Sequence, residues 1–142
     1  MPYLTHESAL YFLIRVVLGI LFFFQGYDKV FNLKISGVIT YFKEESKHKH
    51  LPGFILVTTA YLTSFTELVC GALLIVGLFQ TAALYLLGFD IIIICVAFSV
   101  LKPMWDMQLL FPRLILLGIL LYLPCDSDTL SLDYFFHSLK QS

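Results

Sequence analysis

The sequence predicts an all-α integral membrane protein: a four-helix antiparallel bundle with a short amphipathic interfacial helix between the first and second spans. Three observations lead there. Of 142 residues, 59% are hydrophobic and 13% charged, against about 25% charged in a typical soluble domain. The apolar residues gather in the stretches Ala9–Tyr27, Phe54–Leu78, Ala82–Leu101 and Gln108–Pro124, each long enough to cross a hydrocarbon core of roughly 30 Å. Each stretch also holds an ionisable residue: Arg15, Glu67, Asp90 and Arg113. A charge near the bilayer centre costs roughly 2.5–3.5 kcal/mol, so charges of both signs predict a packed bundle with a polar interior. The length suits a single membrane domain over residues 1–142.

The first stretch reads as a retained helix and not as a signal peptide. No basic segment precedes it, Arg15 interrupts it, and Gln25-Gly26-Tyr27 is a poor cleavage site. Arg15, Gly19, Phe22, Gly26 and Lys29 recur at helical spacing and share one face. Glycines there let a second helix approach closely. Gln25, Tyr27, Asp28 and Lys29 read as an interfacial belt, near Lys102 and Asp106 on the same side.

The polar segment 28–53 follows. Within it Phe31, Ile35, Val38 and Phe42 form one apolar helical face, the pattern of a helix lying in the membrane interface. The run Lys43–His50 reads as a solvated loop; His48 and His50 lack a third nearby ligand, so no metal site is expected. Leu51-Pro52-Gly53 ends the loop.

The second span carries a polar stripe of Thr59, Thr63, Thr66 and Cys70, with Glu67 beside it and Gly71 one turn on. The connection Gly77–Thr81 is short enough to force an antiparallel hairpin into the third span, which holds Asp90. Pro103 breaks the next connection and Trp105 suits an interface. In the fourth span Arg113 shares a face with Asp106. The tail 125–142 is polar and then aromatic, and is expected to rest on the membrane surface. Cys70 and Cys95 read as small apolar filler; with Cys125 they make no C-x-x-C pair.

An even number of spans puts both termini on one side. Lys29, Lys34, Lys43, Lys47, Lys49 and Lys102 gather on the other, so the positive-inside rule places the long loop in the cytoplasm and both termini outside. At about 1.5 Å per residue, Arg15 and Asp90 lie roughly 10 and 12 Å from the termini's side, and Glu67 and Arg113 roughly 16 Å from the far side. Arg15, Glu67, Asp90 and Arg113 are therefore expected in one mid-membrane layer, as mutual partners. That layer is read either as a site for a head group, a quinone or a small anion, or as an ion-pair network that fixes helix register. Each acid having a candidate base argues against a pure proton relay.

The order Arg15-x-x-Leu18-Gly19-x-x-Phe22-x-x-x-Gly26-x-x-Lys29, then Glu67-x-x-x-Gly71 and a Gly77-Leu78 turn, then Arg113 in an apolar last helix, resembles the DoxX family of small bacterial membrane proteins. The resemblance covers roughly residues 9–124. It implies a four-helix bundle in the bacterial cytoplasmic membrane. It assigns Gly19, Gly26, Lys29 and Gly71 to family-like packing positions, while Asp90 belongs to no motif of that family. Relatives imply redox work: the similar DoxD proteins belong to a thiosulfate:quinone oxidoreductase, and DoxX proteins are associated with oxidative-stress enzyme complexes.

No nucleophile–base pair, phosphate loop or metal-ligand cluster identifies a reaction, and no basic tract points to nucleic acid. The expected role is a non-catalytic subunit of a redox- or quinone-linked membrane complex, its partners the bilayer and a membrane or soluble redox enzyme. The cofactor is left unassigned, with quinone as the candidate. A structural or assembly subunit is the first alternative. A small-molecule or proton-coupled transporter is the second, and four helices without an inverted repeat would then need a homo-oligomer.

Overall fold

The computed structural model describes residues 6–45, 52–101, 110–123 and 128–141, and the regular structure among them is helical. His48, His50, Lys102, Pro103, Trp105, Asp106 and Cys125 lie outside the described residues, and with them the expectations for the charged loop and the third connection.

Helix α1 (His6–Tyr27) has Glu7 in its first turn, at the positive end of the helix dipole. It runs directly into a π-helical segment, Asp28–Asn32. The chain then turns at Lys34, whose φ of 56° lies in the left-handed region that non-glycine residues rarely adopt. Helix α2 (Lys34–Glu45) follows and buries Val38. This is the amphipathic helix that the Phe31–Phe42 spacing predicts, begun a turn later because the π-helical segment takes up Phe31.

Helix α3 (Gly53–Val76) ends at Gly77, whose φ of 77° is left-handed. The amides of Gly77 and Leu78 both donate to the Leu73 carbonyl, at 2.8 and 3.0 Å, closing the helix end. Helix α4 spans Gln80–Leu101 and α5 spans Leu110–Tyr122. Helix α6 (Leu132–Gln141) lies in the tail, for which the sequence reading specified no helix. The Ser131 hydroxyl caps it, accepting from the Tyr134 amide at 3.1 Å.

Three helical stretches, His6–Asn32, Gly53–Val76 and Gln80–Ala97, are long and apolar enough to cross a membrane by length and composition; α5 is apolar but shorter. Their surfaces agree with that. Leu13, Phe24, Tyr85, Phe89, Ile92 and Ile115 are large apolar side chains that stand exposed, and a contiguous apolar surface of this kind marks contact with lipid or protein. Inside, Tyr11, Leu18 and Phe22 of α1 pack with Leu74 of α3, Leu87 of α4 and Leu120 of α5.

The tightest packing joins α1 to α3. A Cβ on Gly71 would lie 2.5 Å from the Phe23 amide nitrogen, one on Gly19 would lie 2.9 Å from that of Ile75, and one on Gly26 would enter the Leu68 backbone. Rising numbers on α1 meet falling numbers on α3. The backbones touch, as the shared glycine face predicts.

Candidate functional site

Lys29 and Glu67 are brought together by that glycine packing. Gly26 sits on Leu68, so the next turn of α1 passes Glu67, and the Lys29 ammonium reaches both carboxylate oxygens, at 2.8 Å to Oε1 and 2.7 Å to Oε2. Glu67 is fully buried, whereas Lys29 remains 18% exposed. The π-helical turn contains Lys29; such turns recur at functional sites. It is closed by the Leu33 amide donating to the Asp28 carbonyl at 2.8 Å.

Two cavities meet at Lys29. One, of about 240 Å³, lies between α2 and α3–α4, where Gln25, Lys29, Thr59 and Thr63 face Val38, Tyr41 and Phe42. The other, of about 510 Å³, lies between α1 and α5, with Lys29, Gln25 and Arg113 among Ile20, Leu21 and Phe24. Gln25 lines both cavities, and its buried Oε1 has no hydrogen-bond partner. The Ser64 hydroxyl, also buried, has none. Apolar walls around a few convergent polar groups are the usual make-up of a small-molecule site.

Asp90 and Arg113 complete the polar cluster. Asp90 is buried, and neither carboxylate oxygen has a hydrogen-bond partner. It feels the charges of Glu67, Lys29 and Arg113. The Arg113 guanidinium lies over the Phe22 ring, 5.6 Å from its centre, a cation–π arrangement; it feels Glu67 and Asp90 without an ion pair at close range to either.

Arg15 stands apart from these three, which corrects the expectation of one four-charge layer. Its Nε lies 2.7 Å from Asp128 Oδ2, both groups buried. Its Nη1 donates to the carbonyls of Leu74 and Ile75, the latter at 3.1 Å, so Arg15 caps the C-terminal end of α3. Glu67 sits seven residues before Leu74, roughly 11 Å along the helix. The physical reason is partner choice. Free carbonyls at a helix end together with a carboxylate satisfy a guanidinium better than a carboxylate already held by an ammonium.

Two partners are not foreseen in the sequence. Lys29 reads both as part of an interfacial belt and, with Arg15 and the glycines, as part of the packed face, but its pairing with Glu67 is not expected. Asp128 was read as part of a polar tail, and only the fold brings it to Arg15. The described residues hold no group of three or more His, Cys, Asp or Glu that could bind a metal.

The model of the DoxX family matches residues 10–100, a span that contains Lys29, Glu67 and Asp90 and leaves Arg113 and Asp128 beyond it. No curated protein and no solved structure matches the chain. The match takes in most of the chain, including nearly all of the three helices long enough to span a membrane: the chain belongs to the DoxX family.

Proposed function

We propose that this protein is a multi-pass subunit of the bacterial cytoplasmic membrane, an antiparallel four-helix bundle that holds the polar head of a lipid-soluble molecule beside Lys29 and serves a redox- or quinone-linked complex without catalysing the reaction itself. The observation that carries this reading is Lys29, paired with the buried Glu67 and lining two apolar-walled cavities. Lys29 and Thr63 offer donors to a carbonyl oxygen, and Gln25 Oε1 offers an acceptor to a hydroxyl. A quinone ring presents the first and a quinol the second. The cavity under α2, at about 240 Å³, suits one ring more than a whole lipid. By the positive-inside rule the Lys29 end faces the cytoplasm and both termini lie outside.

The test is gentle purification from native membranes, with mass spectrometry of every co-eluting protein and lipid-soluble molecule. Retained quinone that is lost in Lys29→Met supports the reading. A clean protein carrying only bulk lipid overturns it. A second reading, a bundle that only fixes the assembly of a larger complex, is favoured by the Arg15–Asp128 pair, which holds α1, the end of α3 and the segment before α6 together.

A further inference from the structure

We infer that α6 is a second interfacial helix, lying with one apolar face in the lipid surface at the end of the bundle opposite the Lys29 cavities. Three features carry this. First, α6 is fastened where two spanning helices turn: Asp133 accepts from the Phe79 amide at 3.0 Å and the Gln80 amide at 2.9 Å, and its own amide donates to the Gly77 carbonyl at 3.0 Å. That carboxylate supplies the cap α4 lacks from its own chain neighbours. The start of α6 is thereby held at the level where α3 ends and α4 begins, the rim of the apolar belt.

Second, Leu132, Phe135, Phe136 and Leu139 follow the i, i+3, i+4, i+7 spacing of one helical face and are 40–58% exposed. Asp133 and His137 fall on the other side. Third, exposed apolar side chains stand at the turn to which α6 is fastened, Val76 at the end of α3 and Phe79 in the turn itself. A bilayer boundary covers such a face without any further protein. The polar side is not lysine-rich, so the occupant is the apolar boundary of the bilayer itself and not an anionic headgroup layer.

The test uses the full chain in vesicles of zwitterionic lipid, with Cys70, Cys95 and Cys125 replaced by Ala and one spin label introduced at Leu139→Cys or His137→Cys. The label at 139 should collide severalfold more with oxygen, which partitions into lipid, than with a water-soluble nickel chelate. The label at 137 should show the reverse order. Equal exposure of both sites to nickel overturns the inference. So does label–label broadening at 139, which would mean a second copy covers the face, and so does exclusion of both reagents, which would mean another protein does. Should the cysteine-free chain fail to fold, Phe136→Trp in the otherwise unchanged chain replaces it. Brominated lipid should then quench more fluorescence than in the parent, and quenching no greater than that of Trp105 alone overturns the inference.

Discussion

The Lys29 ammonium grips the Glu67 carboxylate through both oxygens, at 2.7 and 2.8 Å, in a bundle where Glu67 itself has no exposed surface. Removing either partner strands the other charge, and a broken buried pair costs about 3–5 kcal/mol. Lys29→Met and Glu67→Leu should each lower the midpoint of thermal unfolding in detergent, and the double variant should recover most of the loss. A double variant as unstable as the sum of the singles would show that the two residues act separately.

Asp128 makes a different prediction. Its ion pair with Arg15 anchors the segment that leads into α6. Asp128→Asn should free that segment, so limited proteolysis should cut between Tyr122 and Leu132 faster than in the parent chain, leaving α1–α5 intact. Fragment masses decide it.

The helix contacts can be separated by glycine. Gly71→Ala places a methyl 2.5 Å from the Phe23 amide nitrogen, a backbone atom that cannot swing away, whereas a methyl on Gly118 meets nothing within 4 Å. Gly71→Ala should therefore destabilise the bundle. Gly118→Ala should leave it unchanged or raise its stability by up to about 1 kcal/mol through helix propensity. Paired melts in one detergent give the comparison.

At the turn, Gly77→Ala meets two penalties. The φ of 77° alone costs an L-residue about 1–2 kcal/mol, and the new Cβ would sit 2.9 Å from Arg15 Nη1. The substitution should cost more than the first term alone, and Arg15→Leu in the same chain should relieve the excess. A double-mutant cycle on thermal midpoints reads that coupling.

Much of this architecture was legible because membrane helices announce themselves by composition. The Arg15-to-Lys29 face showed where the glycines press, and the Phe31–Phe42 spacing showed α2. Charge pairing was less legible. Depth along each helix sorted Arg15, Glu67, Asp90 and Arg113 by height alone. It carried no information on which side of the bundle each side chain enters, nor on the Asp128 and Lys29 carried by neighbouring segments. The π-helical segment was hidden as well, because Asp28–Asn32 has no composition that sets it apart from the helix before it. Helix α6 was readable in principle from Ser131 and the four apolar positions after it, but a ten-residue amphipathic run lacks the weight of a span.

The two ion pairs have a mechanical consequence for α1. Arg15 and Lys29 hold it at sites fourteen residues apart, roughly 21 Å along the helix, one to the end of α3 and Asp128 and the other to Glu67. Sliding α1 along its own axis by one turn, about 5.4 Å, would break both anchors and drive the Gly26 and Gly71 contacts out of register. Piston motion is therefore closed to this helix. A movement of α1 that keeps both anchors would have to be tilt or rotation about the glycine seam.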